Sequence, residues 1–192
     1  KPMLKRVVDR TFNCMSIDTD TSTSDTAVVL ASGAAGTVDL EAFEAALYDV
    51  CRSLTRQIAR DGEGAETLIE VTVDQAADAA QAKRVAKAIV NSPLVKTAIA
   101  GSDPNWGRII CAAGYAGVVF DPRKVDIDMQ GIPVCRAGLA AEFSEQALSA
   151  KLDEKDCHIR FVIRGRGRGR ARLLFAHPMA EGFTARSIIR NR

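Results

Sequence analysis

The chain has 192 residues, of which 47% are hydrophobic and 26% charged, and a net charge of +2, a composition typical of a soluble protein with one large or two small domains. No apolar run approaches the ~20 residues of a membrane span and no signal-peptide pattern opens the sequence, which argues against a membrane or secreted protein. The five cysteines form no CxxC pair, so the sequence predicts a reducing, cytoplasmic compartment and neither a disulfide framework nor a zinc site.

The first half of the sequence alternates between helical and extended patterns. Residues 5–12 predict the end of a helix, and residues 26–31 (TAVVLA) predict a short buried strand. A long helix follows, which Asp39 can cap and which should end at Asp61-Gly62, where glycine can adopt a left-handed conformation. Its apolar residues recur every three or four positions and form one stripe, made of Leu40, Phe43, Leu47, Val50, Leu54 and Ile58.

A strand and a second helix complete this pattern. Alternating apolar residues predict a strand over 68–73, and Asp74 is the predicted cap of a helix that runs to about Val90 and is ended by Pro93. Since helices and strands alternate, we expect an α/β fold in which helices pack on a sheet. We assign residues 1–97 to an α/β sandwich portion.

Residues 98–192 are predicted to form a smaller α+β domain. Residues 125–134 predict two strands around Gln130-Gly131, and residues 141–152 predict an amphipathic helix. Residues 158–164 and 171–175 predict two further strands, joined by a glycine-rich turn. The fold class expected for the whole chain is therefore α/β, followed by this α+β part.

The segment 18–26 contains only aspartate, threonine and serine. Its aspartates alternate with Ser22 as in a calcium-binding loop, but Thr23 replaces the required glycine and Val29 replaces the final glutamate. Two interpretations stay open. The segment is either a hydroxyl-rich edge whose side chains bond to their own backbone, or a polar wall of a small-molecule site.

A second polar segment, Asp61-Gly-Glu-Gly64, joins the long helix to the buried strand. Because glycines flank Glu63, its carboxylate could point into a cleft and bind an ammonium group. The alternative is an ordinary turn with a solvated acid, which composition alone favours. Farther along, Trp106-Gly107-Arg108 predicts a packed corner in which Arg108 binds loop carbonyls or carboxylates.

The basic residues are concentrated at one end of the sequence. From Arg160 to Arg192 there are nine arginines and one acid, a pattern that nucleic-acid-binding tails share. However, the repeat from Gly165 to Arg170 lies between two predicted strands and contains no aromatic residue to stack on bases. We therefore predict a hairpin turn with solvated arginines, and nucleic-acid binding is the less favoured alternative. The histidines, His158 and His177, have no triad-like context.

Five segments of the sequence match one known enzyme family in order and spacing. They are DRTFN (9–13), DTDTSTSDT (18–26), RDGEGAETLIEV (60–71), KAIVNSPLVKTAIAGSDPNWGRI (87–109) and FDPRKVDI (120–127). On these segments the chain resembles the β-chain of the ornithine acetyltransferases, the bifunctional glutamate N-acetyltransferases of arginine biosynthesis. The resemblance covers nearly the whole chain, up to residues 182–183.

The resemblance implies a specific chemistry. Family members are made as one precursor that cleaves itself before a threonine, which becomes the N-terminus of the β-chain and the nucleophile. This threonine accepts acetyl from N-acetylornithine and passes it to glutamate. No bound cofactor is implied, although some members use acetyl-CoA as a donor. An α-chain from the same precursor supplies oxyanion donors, completes the sandwich of residues 1–97 and assembles with the β-chain into an αβ multimer.

The resemblance assigns one substrate-binding residue to this chain. Glu63 matches the family's substrate-binding glutamate and is expected to hold an ammonium group of ornithine. No catalytic residue is expected here, because the nucleophilic threonine is expected upstream of Lys1, and this chain alone is therefore expected to be inactive. Ser187 and Arg192 stand where the family has a substrate-contacting asparagine and threonine. A second hypothesis is therefore an impaired relative or fragment that keeps the fold and an amino-acid-binding pocket.

Overall fold

The structure is a computed structural model that describes residues 2–17, 19, 22–62, 64–165, 167 and 169–178, with the backbone alone at 172 and 174–178. Within these ranges, no helix is long and apolar enough to cross a lipid bilayer. Short 3-10 helices lie at Phe12–Cys14 and Pro122–Lys124. The α-helices are α1 (Pro2–Arg10), α2 (Leu40–Arg60), α3 (Ala79–Val90), α4 (Pro93–Ala100), α5 (Trp106–Gly114) and α6 (Glu145–Leu152).

Seven strands form one mixed sheet. They are β1 (Met15–Ser16), β2 (Ala65–Ala76), β3 (Val125–Met129), β4 (Ile132–Arg136), β5 (Leu139–Ala140), β6 (Asp156–Ile163) and β7 (Gly169–Pro178). Their order is β1-β7-β2-β6-β3-β4-β5, with β2 parallel to β6 and antiparallel to β7. β2 thus pairs on both sides with strands from the second half of the chain. The division at residue 97 stays a prediction.

One face of the sheet carries the main hydrophobic core. Ile69, Val71 and Val73 of β2 alternate onto this face, next to Cys157, Ile159 and Phe161 in the parallel register of β6. The residues packed in the same cluster include apolar side chains of α3, α5 and α6, among them Val85, Ile89, Ile109, Leu148 and Leu152. Helices packed on a sheet in this way confirm the α/β class predicted from the sequence.

The opposite face of the sheet is polar over most of its width. By register, Glu70, Thr72 and Asp74 of β2 lie on this face beside His158 and Arg160 of β6. Apolar packing is found on this side where α2 approaches the sheet, in a small cluster of Ala59 with Leu68 and Met15. One face of the sheet is therefore apolar and packed against helices of the main core, whereas the other is polar and packs apolar residues near α2.

Helix α2 has the predicted bounds but an unexpected orientation. The Asp39 carboxylate accepts hydrogen bonds from the first-turn N–H groups of Glu41 and Ala42, and the helix ends at Arg60 as predicted. Its buried residues are Cys51, Thr55 and Ala59, one turn apart. The large apolar side chains of the predicted stripe instead face solvent to a great extent, with Leu40 65%, Phe43 37%, Val50 56%, Leu54 43% and Ile58 43% exposed.

The predicted buried strand over 26–31 is wrong. This segment is irregular, and Val28 and Leu30 are 67% and 91% exposed. An extended segment becomes a strand only where another strand satisfies its backbone N–H and C=O groups. No strand of the described chain pairs with residues 26–31, so their apolar sequence does not produce a strand here.

The cap predicted for the second helix is also wrong. Asp74 lies within β2, which continues to Ala76 through an irregularity in its pairing with β7, and the cap of α3 is Asp78. Asp78 accepts a hydrogen bond of 2.7 Å from the N–H of Gln81. The end of α3 at Val90 is confirmed.

Two helices were not anticipated. Pro93 does follow the end of α3, but it also lies in the first turn of α4, and Ser92 is the cap of that helix. Proline is tolerated there because a backbone N–H in the first turn has no partner within the helix. Asn105 caps α5 through a bond from the N–H of Arg108. Ser92 and Asn105 are helix caps, a role that the sequence pattern alone did not reveal.

The hairpin predicted at the glycine–arginine repeat is wrong as well. β6 and β7 do not pair with each other because β2 lies between them, so the segment that joins them crosses the end of β2. A Cβ atom at Gly167 would lie 1.9 Å from the carbonyl oxygen of Ala76, and one at Gly169 would lie 2.1 Å from that of Asp78. The crossing is thus close enough to require glycine at both positions.

The remaining elements of the second half agree with expectation. β3 and β4 form the predicted hairpin, and Gln130 and Gly131 have φ angles of 50° and 75°, as a two-residue turn of this kind requires. The predicted helix begins at Glu145 with Ser144 as its cap, a few residues later than the sequence pattern indicated.

Candidate functional site

The turn between α2 and β2 is the candidate substrate site. The N–H of Asp61 closes α2 by donating to the carbonyls of Gln57 and Ile58, and the N–H of Ala65 donates to the Gly62 carbonyl at 2.9 Å. Gly64 has a φ of 67°, a value that favours glycine. Glu63 lies outside the described residues, so its predicted role stays a prediction. The structure fixes the residues on either side of it.

A cavity of about 600 Å³ borders this turn. Its charged lining residues are Arg60 at the end of α2, Glu66 at the start of β2, and Asp153 and Lys155 in the loop that precedes β6. The volume lies within the range of small-molecule sites, roughly 300–1,000 Å³. Since a free amino acid carries an ammonium and a carboxylate, a cavity with both signs of charge can match it.

An ionic cluster holds the C-terminal half of α2 against the sheet beside this cavity. Arg56 Nη1 lies 2.6 Å from Glu70 Oε2, and Arg60 Nη2 lies 2.7 Å from Asp156 Oδ1. Arg56 also reaches Asp156 at 3.2 Å, and His158 Nδ1 lies 3.5 Å from Glu70 Oε1. The side chain of Glu70 is only 4% exposed, so its charge is compensated within the protein.

This cluster was not found from the sequence. The signal was present: Glu70 is the one acid within the predicted apolar strand of residues 68–73, and Arg56 and Arg60 are spaced to lie on one side of α2. A carboxylate in such a strand needs a cation brought by another element. Nothing in the sequence showed that the cation came from the helix directly before it.

A second ionic network covers the polar face farther along the sheet. Asp74 of β2 accepts from Arg160 at 2.8 Å and from Arg170 at 2.9 Å. Two aspartates of β3 join this network. Asp126 binds Arg164, and Asp128 binds Arg136 and Arg160. A cavity of about 400 Å³ lies beside this network. It is lined by Asp74, Arg160 and Arg170 together with Gly167 and Gly169.

Three arginines of this network belong to the Arg-rich part of the sequence that suggested nucleic-acid binding. Burial raises the pKa of Asp126, but hydrogen bonds from Arg164 and from the Ala137 N–H outweigh burial, and the net pKa lies below its usual value. Asp126 is thus held ionised by its partners. Arg160, Arg164 and Arg170 are each paired with a sheet carboxylate, so part of the positive charge in this region is compensated within the protein.

The aspartate-, serine- and threonine-rich segment matches the first of its two interpretations where it is described. Ser22 Oγ accepts from the N–H groups of Ser24 and Asp25 at 3.2 and 3.1 Å. Thr26 in turn donates to the Ser24 carbonyl at 3.4 Å. Residues 18, 20 and 21 lie outside the described part. Within it, hydroxyl groups bond to nearby backbone, as in short polar turns.

The predicted corner around Trp106 is helical. Trp106 is the first residue of α5, and Arg108 donates to the Leu94 carbonyl and to Thr97 Oγ1, both at 3.1 Å. Arg108 therefore ties α5 to α4, as predicted for a residue bonding carbonyl groups. Nearby, Ser16 donates to the Asn91 side chain at 2.7 Å, which connects β1 to the end of α3.

Four of the five cysteines are poor candidates for a nucleophile. Burial raises the pKa of Cys157 to about 12 and also raises the pKa values of Cys14, Cys51 and Cys135, so these thiols are protonated at neutral pH. His158 Nδ1 lies near a carboxylate oxygen of Glu70. Among the described residues there is no cluster of three or more histidine, cysteine or acidic side chains that could hold a metal ion.

Comparisons with known proteins connect the chain to one family. A model described as "ArgJ family" matches residues 1–176. The chain is 62% identical over 114 residues to "Arginine biosynthesis bifunctional protein ArgJ 2" of Nostoc sp., covering 59% of this chain and 30% of that protein. It is 51% identical over 154 residues to "Glutamate N-acetyltransferase Oat2" of Streptomyces clavuligerus, covering 79% and 39% of the two chains.

A solved structure is similar over most of the chain. A crystal structure of the arginine biosynthesis bifunctional protein argJ of Bacillus halodurans superposes with a TM-score of 0.87 at 42% identity, covering 91% of this chain and 85% of that one. In contrast, the chain spans less than half the length of the curated relatives, at 30% and 39% in the two given above.

Proposed function

Since this chain belongs to the ArgJ family, we propose that it is the β-chain of a glutamate N-acetyltransferase that works with an α-chain. The family match agrees with the resemblance to ornithine acetyltransferases drawn from the five sequence segments. In the proposed reaction, acetyl passes from N-acetylornithine to glutamate. The observation that carries the proposal is the cavity, lined by side chains of both charges, next to the turn that contains Glu63.

The proposed chemistry proceeds through an acyl-threonine intermediate. The threonine hydroxyl, deprotonated by its own α-amino group, attacks the acetyl carbonyl of N-acetylornithine, and the C–N bond breaks to release protonated ornithine. The amino group of glutamate then attacks the acyl ester, which forms N-acetylglutamate and returns the hydroxyl. In this scheme the described chain supplies a wall of the substrate pocket, and the nucleophile is contributed outside it.

Within that wall, the proposed role of Glu63 is to bind an ammonium group of the substrate. The cations of the cavity, Arg60 and Lys155, are placed to attract the substrate carboxylate. Arg60 Nη2 donates to Asp156 Oδ1 at 2.7 Å, which ties the end of α2 to the start of β6. Binding both ends of an amino acid would orient the acetylated nitrogen toward the nucleophile.

The direct test is kinetic and uses the complete enzyme, this chain together with its α-chain. We expect Glu63→Ala to raise the KM for N-acetylornithine about ten- to hundredfold, because a charge-assisted hydrogen bond contributes about 1.5–3 kcal/mol. Asp61→Ala, in the same turn, is the matched control, since Asp61 closes α2 through its backbone N–H. If KM and kcat of Glu63→Ala equal those of the parent enzyme, Glu63 does not bind substrate.

A second candidate function rests on Ser187 and Arg192, which replace the asparagine and threonine of the family pattern. Both lie outside the described residues. On this alternative the chain keeps the fold and binds amino acids without transferring acetyl. In the complete enzyme, this chain together with its α-chain, calorimetric titration with N-acetylornithine and an acetyl-transfer assay that offers N-acetylornithine or acetyl-CoA as donor separate the two. Binding without transfer from either donor would favour the non-catalytic relative.

A further inference from the structure

The loop that precedes β6 is held on both sides of Lys155, at the rim of the candidate substrate cavity. The N–H of Leu68 in β2 donates to the Lys155 carbonyl at 2.8 Å. Gln130 Nε2 donates to the carbonyls of Lys151 and Asp156, at 2.9 and 2.8 Å. Because these bonds hold the backbone before, at and after Lys155, the side chain is the part of this residue that is left to move.

The two cations of the cavity differ in how they are held. Arg60 Nη2 donates to Asp156 Oδ1 at 2.7 Å, so the guanidinium is tied to the start of β6. Lys155 is exposed and forms no ion pair with any residue that the structure describes, including the two acids of the same lining, Glu66 and Asp153. A lysine ammonium on its flexible four-carbon stem can therefore turn toward the cavity or away from it.

The two substrates of the proposed reaction differ in charge at the end of the side chain. N-acetylornithine has one carboxylate, and its side chain ends in an ammonium group. Glutamate has two carboxylates, and its side chain ends in one of them. Since both substrates react in turn at the same threonine, the place that receives the ammonium of the first receives a carboxylate of the second. A cation has to accompany that carboxylate, because a neighbouring acid such as Glu63 repels it.

We propose that Lys155 determines acceptor specificity by binding the side-chain carboxylate of glutamate, an inference that rests on the proposed function. Arg60 then binds the α-carboxylate, which both substrates have. When the ornithine side chain occupies the cavity, the Lys155 ammonium turns into solvent, which its exposed side chain allows. When glutamate binds, the ammonium turns back and donates a charge-assisted hydrogen bond to the carboxylate. One cavity can thus accept side chains of either charge.

The experiment compares two assays of the complete enzyme, this chain together with its α-chain. The first measures the KM for glutamate in acetyl transfer from N-acetylornithine. The second measures the exchange of labelled ornithine into N-acetylornithine, which uses the same nucleophile but no glutamate. Lys155→Met should raise the KM for glutamate about tenfold, because a hydrogen bond between charged groups is lost, while the KM for N-acetylornithine in the exchange changes by less than about twofold.

Two further variants serve as controls. Lys155→Arg keeps the positive charge and should bring the KM for glutamate back to within about threefold of the parent value. Lys151→Met removes an exposed lysine of α6 that does not line the cavity, and it should leave both assays unchanged.

An unchanged KM for glutamate in Lys155→Met would overturn the proposal. An equal rise in the KM for both substrates would overturn it too, since Lys155 would then bind the carboxylate that they share. If Lys155→Met loses the exchange, Lys155→Gln is measured in its place, and loss of the exchange in both variants would show that the donor itself needs Lys155. Absence of exchange in the parent enzyme would instead refute the proposed function.

Discussion

Helices α2 and α3 begin alike, each at an aspartate whose side chain accepts hydrogen bonds from the first turn, and each carries apolar residues every three or four positions. On α3 these residues are buried, with Val85, Ile89 and Val90 at most 1% exposed. On α2 the corresponding row faces solvent. Periodicity therefore identifies a helix and its apolar side, but the elements available to pack against that side decide whether it is buried.

The two helices are also held to the sheet by different interactions. α3 belongs to the main hydrophobic cluster, whose members come from the sheet and from four of the helices. α2 contacts the sheet through a few small residues and through Arg56 and Arg60, which bind Glu70 and Asp156. We therefore expect substitutions on the two helices to have different energetic consequences.

The largest difference should appear when a buried isoleucine of α3 is truncated. Ile89→Ala removes a side chain with no exposed surface from the main core, and such truncations cost about 2–5 kcal/mol because a cavity is left behind. Urea denaturation of the 192-residue chain measures this as a decrease in the free energy of unfolding. A loss below about 1 kcal/mol would contradict the packing of α3 described here.

A smaller effect is expected at the ionic anchor of α2. Glu70→Ala removes the carboxylate that Arg56 contacts at 2.6 Å. Because Arg56 keeps Asp156 as a partner and is 23% exposed, we expect a loss of about 1–3 kcal/mol in the free energy of unfolding. Faster amide hydrogen exchange in the C-terminal half of α2 should accompany it. Glu66→Ala, at an exposed position of the same strand, is the control and should change stability little.

An equal effect of the Glu66 and Glu70 substitutions would show that the ion pair does not anchor α2. Unchanged exchange in α2 with a lower global stability would place the contribution of Glu70 in the sheet itself. Either result would remove the contrast between an ionically anchored α2 and an apolar-packed α3.

How much of this arrangement the sequence predicts depends on the range of the interaction. The α/β class, the bounds of α2 and the β3–β4 hairpin were predicted, because caps, apolar spacing and turn residues act locally. The strand order was not, since the insertion of β2 between β6 and β7 is set by long-range pairing. For the same reason the glycines at 167 and 169 were read as a hairpin turn, although they accommodate a close crossing over β2.

In the candidate site, too, local features were predicted from the sequence and contacts between distant segments were not. Glu63 is a candidate because of the family resemblance, since the glycines around it alone favour an ordinary turn with a solvated acid. Its charged surroundings were not predicted, because Arg60 and Lys155 come from segments nearly 100 residues apart. The fold brings them together through the parallel pairing of β2 with β6.

The smallest effect on stability is expected for Ile58, an isoleucine near the end of α2 as Ile89 is near the end of α3. Ile58→Ala is the same substitution near the end of a helix, but Ile58 is 43% exposed. In the 192-residue chain the free energy of unfolding should change by no more than about 0.5 kcal/mol, since the lost contacts are partly offset by the higher helix propensity of alanine. Urea denaturation of Ile58→Ala beside Ile89→Ala measures the difference, and a loss as large as that of Ile89→Ala would contradict the exposed position of Ile58.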